Sequence, residues 1–273
     1  MLTRIGGNTK QIKSGKTKST PCLKISRLGI VSRDYGHEYE NGYRDFTDVM
    51  PSVLKVLDNE ECDAVLFSLF SIVPRALYDP RAAFSGLENI KSIFIEEFND
   101  VKSREAGRYV IYYRIPSGWK EYEFHQVFGT VTGMPQRDIE KFVADKMPKR
   151  ILGKCCVLLC GETNGVKYSK ADQKIHDTFG LRNAIPENVN VILNPIHDRM
   201  TRFEMKLKRQ FLSQDNRWVV SVWNKGKMDK NGTVRDGNVP AWTVYYNGKE
   251  VSIDSIEHNF PKIEIGILNV AKA

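Results

Sequence analysis

No stretch of this 273-residue chain approaches the roughly 18 consecutive apolar residues that a membrane-spanning helix needs. A membrane role is therefore not expected. Residues 1–19 have no apolar core of the kind a secretory signal carries, so no export is expected from them. Cysteine is scarce, five in all, and odd in number, which leaves no disulfide framework. There is no C-x-x-C and no H-x-x-x-H spacing, so no metal is expected, and no motif calls for a cofactor. A reducing, cytoplasmic setting is the natural expectation. Within residues 25–273 there is no repeat of fixed period and no Pro- or Ser-rich linker, so one domain over 23–273 is the simplest organisation.

Acid is absent from the first 24 residues. Arg4, Lys10, Lys13, Lys16, Lys18 and Lys24 lie there, accounting for six of the eight net positive charges. Residues 1–22 are expected to be a basic, flexible tail, and nucleic acid, if contacted at all, would be contacted through it. Its Ser14-Gly15-Lys16-Thr17 is not a phosphate-binding loop, because Lys10 occupies the place of the first glycine. The remaining body is close to neutral. Its 41% hydrophobic and 27% charged residues match an ordinary globular protein.

Regular patterning begins after Pro21. Strands are expected over 23–32, 63–73, 92–98, 109–115, 155–160, 189–193, 218–223, 241–247 and 249–253, with Asn247-Gly248 turning a hairpin between the last two. The near-continuous apolar runs DAVLFSLFSIV and CCVLLC read as strands buried on both faces. Helices are expected over 47–58 and 200–212, the second with Met200, Phe203, Leu207 and Phe211 facing inward. Residues 116–118 mark a turn, and 127–150 read as loop and helix. Buried strands separated by helices, with a late hairpin, point to an α/β sandwich.

The most informative segment is Gly153–Gly165, GKCCVLLCGETNG, where a buried strand ends at Cys160 before Gly161 and Glu162. A thiol at the C-terminal tip of a central strand faces the crevice in which α/β sheets place ligands. Cys155 and Cys156 lie inside the run and read as core.

Together these segments resemble the nitrilase superfamily of carbon–nitrogen hydrolases over most of residues 23–255. Cys62–Phe67 resembles its second strand and Gly153–Glu162 the strand that delivers its nucleophile. Val191–Pro195, the helix from Met200, and Val219–Asn224 resemble the segments that follow, and Val244–Val251 the late hairpin. The resemblance implies a four-layer α-β-β-α sandwich and cysteine hydrolysis of a C–N, amide-type bond in a small molecule. The family works with a Glu base, an oxyanion-stabilising Lys and the Cys nucleophile. In this sequence the matching base positions are Ser68 and Leu69, and the Lys position is Phe124. Only Cys160, with Glu162 two residues on, transfers directly. Lys120 and either Glu96 or Glu97 are the alternative charged candidates, Asn194 and His197 are candidates for substrate contact, and His197 could also activate the thiol. His125 is a further histidine without an assigned role. If these groups do not assemble, the implied alternative is a catalytically degenerate protein that uses the fold for ligand binding or assembly. The resemblance also implies a homodimer built on Asn164–Arg182 and the helix to Leu212, with Met205 and Leu212 outward among Lys206, Lys208 and Arg209.

Overall fold

Strand alternation decides which side chains of the chain face which layer. In β1 (Arg27–Arg33), Leu28 and Ile30 point one way and Val31 the other. The computed structural model describes residues 20–75, 78–98, 107–129, 134–197, 203–228, 231–234 and 239–272. In chain order, β1 is followed by α1 (Met50–Asn59), β2 (Ala64–Phe67), β3 (Ser92–Glu97), β4 (Arg108–Ile115), β5 (Gly118–His125) and α2 (Gln136–Lys141). Then come β6 (Ile151–Leu152), β7 (Cys155–Val157), β8 (Lys167–Ser169), β9 (Lys174–His176) and β10 (Val191–Pro195). The chain finishes with α3 (Phe203–Leu212), β11 (Trp218–Val222), β12 (Trp242–Tyr246), β13 (Lys249–Val251) and β14 (Ile263–Asn269).

Two six-stranded sheets result, ordered β14-β1-β2-β3-β4-β5 and β13-β12-β11-β10-β7-β6, with β8-β9 as a separate ribbon. Leu28, Ile30, Leu66 and Phe94 of the first sheet pack against Val157, Leu193, Val220 and Val222 of the second. On the far side of the first sheet, Met50, Val53, Leu54 and Leu57 of α1 cover Val31, Val65, Phe67, Ile93 and Ile95. On the far side of the second, Phe142, Met147 and Leu212 cover Cys156, Leu158, Ile192 and Val219. The layers are therefore α-β-β-α, in a mixed α/β fold. The centre of each sheet is parallel, β1-β2-β3 in one and β7-β10-β11 in the other.

Several expectations are corrected. The run over 63–73 is a strand only to Phe67, because Ser68 turns its hydroxyl into Asn224 and Phe70 takes a left-handed φ of 56°. The run over 155–160 likewise leaves the sheet after Val157. Residues 118–125, outside the expected elements, form edge strand β5, whose Tyr122 and Phe124 pack inward, with Glu121 and Glu123 on the opposite face. A last strand, β14, pairs antiparallel with β1 and has no counterpart among the expected elements. The Asn247-Gly248 hairpin forms as expected, with φ of 44° and 77°, the pair of positive angles a type I′ turn requires.

Helix α3 is inverted relative to expectation. Phe203 is 66% exposed, and the buried face carries Met205, Lys208, Arg209 and Leu212. The polarity fails to predict the face because Lys208 and Arg209 are used inside the protein, where Lys208 Nζ donates to Asn164 Oδ1 at 2.7 Å. Met205 and Leu212 are thus unavailable for the expected two-fold contact. Met200 and the basic residues 1–18 lie outside the described residues. Leu23 bridges Gly153, and Ile25 is buried.

Candidate active site

The parallel strands of both sheets present their C-terminal ends at one edge, and three side chains meet there. Cys160 follows β7, His197 follows β10, and Glu96 ends β3 on the face that carries Phe94. His197 Nε2 lies 3.1 Å from Glu96 Oε2 and 3.2 Å from Oε1. The Cys160 thiol lies near enough to the imidazole to influence its charge. Burial works against charging His197, but Cys160 and the Glu96 carboxylate outweigh it, pushing the pKa up to about 10. At neutral pH the ring is an imidazolium.

Each member of the cluster is held in place. The Phe70 N–H donates to Glu96 Oε2 at 2.6 Å, and the Phe70 ring packs on the imidazole with centroids 4.2 Å apart. Phe70 itself has a positive φ of 56°. Tyr35 Oη donates to the His197 carbonyl at 3.0 Å. His197 remains 22% exposed, so the site keeps a path to solvent, whereas Glu96 is buried.

Cys160 itself has φ of 37°, a left-handed conformation that costs a non-glycine residue of order 1–3 kcal/mol. The surrounding turn imposes it. Asn194 Nδ2 donates to the Leu158 carbonyl at 2.6 Å and to the Cys160 carbonyl at 3.3 Å, and Ser221 Oγ donates to Asn194 Oδ1. Gly161 follows because a Cβ there would lie 1.5 Å from the Gly129 carbonyl oxygen. Glu162 is buried and accepts from Leu159 N at 2.9 Å, Val127 N at 2.9 Å and Arg150 Nη2 at 2.6 Å. Burial raises its pKa, while Arg150 and the two N–H groups pull the other way. Arg150 in turn stacks 3.8 Å from the Phe124 ring and donates to the His125 carbonyl at 2.7 Å.

The structure therefore brings together Cys160, His197 and Glu96, and places the other candidates elsewhere. Glu162 and Asn194 lie beside Cys160 but brace its backbone. Glu97 faces the opposite side of the sheet, with Arg108 Nη2 at 2.7 Å and the Tyr112 hydroxyl at 3.2 Å. Lys120 is exposed and sits opposite Tyr113, which pairs with Ser92 at the start of β3. Four residues of strand, about 13 Å, separate that level from Glu96. His125 is exposed, with Nδ1 3.2 Å from the Gly107 carbonyl. Asp198 lies outside the described residues. The choice of Glu96 over Glu97 was available from alternation, since Glu96 shares its face with Phe94 and Glu97 with Ile93 and Ile95. Among the described residues no group of three His, Cys, Asp or Glu could hold a metal ion, and no helix is long and apolar enough to cross a membrane.

No family model matches the sequence, and no curated protein matches it. Among solved structures, the chain is similar to a glutamine-dependent NAD(+) synthetase from Cytophaga hutchinsonii, with a TM-score of 0.48 and 8% identity. The likeness covers 90% of this chain and 43% of that one, so this chain spans less than half of that protein. It assigns no family.

Proposed function

We propose that this protein is a divergent nitrilase-like cysteine hydrolase acting on the C–N, amide-type bond of a small molecule through Cys160. The observation that carries the reading is the Cys160–His197–Glu96 cluster at the shared strand edge. An imidazole near a thiol and hydrogen-bonded to a buried carboxylate is the kind of arrangement nucleophilic cysteine catalysis uses. Glu96 orients the ring and balances its charge. Cys160, with its proton already on His197, attacks the carbonyl carbon as the thiolate, the C–N bond breaks, and His197 gives that proton to the departing amine. Water then attacks the thioester, His197 takes the water proton, and the carboxylate product leaves with Cys160 regenerated. In this scheme His197 takes over acid–base work for which the family uses a Glu.

A second reading rests on Phe124 and Leu69, the latter a buried hydrophobe beside Ser68. The position matching the family Lys is an aromatic ring covered by Arg150, and Ser68 is bonded to Asn224. That combination favours a degenerate site that binds a ligand without turning it over.

The test is release of ammonia or amine from a panel of small primary and secondary amides, with mass spectrometry of the protein during turnover. The hydrolase reading expects release and an acyl adduct on Cys160, both abolished in Cys160→Ala. A folded protein that alkylates at Cys160 yet releases nothing from any member of the panel would transfer the weight to the degenerate site.

A further inference from the structure

A buried cation at the end of β1 grips the turn against which the Glu96–His197 pair rests. Arg33 is 1% exposed; its Nη2 donates to the Phe70 carbonyl at 3.1 Å, and its Nη1 to the Asp34 carbonyl at 3.4 Å. Its Nε has no hydrogen-bond partner among the described residues. The rings of Tyr35 and Phe46 also face the guanidinium, with centroids 5.4 Å and 5.7 Å from its carbon. The titratable and charged groups around it are Tyr35, Tyr39, Asp45 and Asp34. Asp45 is taken up by Arg75 Nη2 at 3.0 Å and by the N–H groups of Thr47 and Val73, and Asp34 Oδ1 by the Gly36 N–H at 2.7 Å. The guanidinium is therefore buried against carbonyls and rings, at a desolvation cost that an apolar side chain would spare. The distant group it holds is Phe70.

We infer that Arg33 is a positioning residue for the Glu96–His197 pair: by holding the Phe70 carbonyl, it fixes the residue whose N–H meets the carboxylate and whose ring packs on the imidazole. The inference rests on the reading of this pair as the acid–base partner of Cys160. Phe70 is gripped through both of its main-chain groups, its N–H on Glu96 Oε2 at 2.6 Å and its carbonyl on Arg33, while its ring centroid lies 4.2 Å from that of His197. A bulky residue with a φ of 56° is strained and persists only where its surroundings over-determine it. Here Arg33 and Glu96 do so from the two ends. Two residues after Arg33, Tyr35 donates to the His197 carbonyl and sets its ring 5.9 Å from that of Phe70. The stretch is tied to the second sheet, since Tyr35 N donates to the Lys225 carbonyl at 2.9 Å and Lys225 N to the Arg33 carbonyl at 2.8 Å. Both members of the pair are thus braced from the end of one strand, Glu96 through Arg33 and Phe70, His197 through Tyr35.

The test is an NMR titration of the His197 ring in the full chain, run beside iodoacetamide labelling of Cys160 read by mass spectrometry. In Arg33→Met the imidazole midpoint, about 10 in the unaltered protein, is expected to fall by about one pH unit as Glu96 loosens from the ring, and in Arg33→Lys to stay near its original value. A merely structural role would lower thermal stability in both variants and leave the midpoint in place, which overturns the inference. Because Arg33→Met can fail to fold, a second measurement uses the unaltered protein. The Phe70 amide, held between Glu96 and Arg33, is expected to exchange with solvent at least about 100-fold more slowly than an unprotected amide. Exchange at the unprotected rate would show that the turn is not held, and overturns the inference as well. Failure of the underlying reading looks different: Cys160 would then show no selective labelling at any pH, while the His197 midpoint still responded to Arg33.

Discussion

Two carboxylate–cation pairs flank the Cys160 turn, and they behave in opposite ways. Glu162 and Arg150 are sealed from water, with side-chain exposures of 0% and 2%, and every contact of Glu162 goes to a backbone N–H or to Arg150. Glu96 and His197 also form a close pair, but the imidazole reaches solvent, lies near the Cys160 thiol and titrates. Glu162 is two residues from Cys160 in sequence, and Glu96 is 64 away. The difference shows that adjacency along the chain here marks the scaffold, whereas the cluster with reactive chemistry is assembled from three separate strand ends. A guanidinium cannot release its proton at working pH and suits a clamp, while an imidazole can and suits catalysis.

The sharpest break of this contrast removes one member of the dry pair. Glu162→Ala leaves Arg150 buried without its carboxylate and frees the N–H groups of Val127 and Leu159. A loss of about 3–5 kcal/mol of unfolding free energy is expected, read by urea denaturation. A loss below about 1 kcal/mol would show that the turn does not depend on the clamp. The wet pair should respond in rate instead. His197→Gln is expected to slow iodoacetamide labelling of Cys160 at neutral pH by roughly 10–100-fold, with the protein still folded. Unchanged labelling would detach His197 from the thiol.

The same pair carries a pH signature with a definite sign. The folded-state pKa of His197, about 10, stands above its ordinary 6.5, so the charged form is favoured by folding. Its contribution is fully present below about pH 6.5 and is lost as pH rises through about 10. The melting temperature of the unaltered protein should therefore exceed that of His197→Gln most at pH 6, and the gap should close by pH 10.5. A gap that stays constant or widens with pH reverses the assignment.

Much of this architecture is legible in the sequence, for physical reasons that also mark where legibility stops. CCV, VILNP and WVVSV are buried on both faces and announce themselves by apolarity alone. Edge strand β5, GWKEYEFH, alternates aromatic with charged residues, so a neighbouring turn signal and its polarity hide it. Helix α3 defeats the amphipathic rule because its inward face spends Lys208 and Arg209 on Asn164 and Thr243. Cys160 stands out because a buried run ends there at a glycine. Its partners do not, since neither the reach of His197 to Glu96 nor the turn at Phe70 is encoded locally.

The smallest expected effect tests the far end of the same sheet. Lys120 is the nearest thing in the sequence to the family's missing lysine, yet β5 runs antiparallel to β4 and carries it level with Ser92, away from Glu96. Its ammonium is in water, so Lys120→Ala removes no desolvated contact and should shift stability by no more than about 0.5 kcal/mol. The side chain is also beyond contact with the thiol, and charges that far apart through solvent are heavily screened. Cys160 labelling should therefore stay within about twofold of the unaltered protein at low ionic strength, with the same midpoint pH. A tenfold loss would mean that the hairpin β4-β5 folds over the strand ends during reaction. In that case Lys120 would bring a positive charge to Cys160.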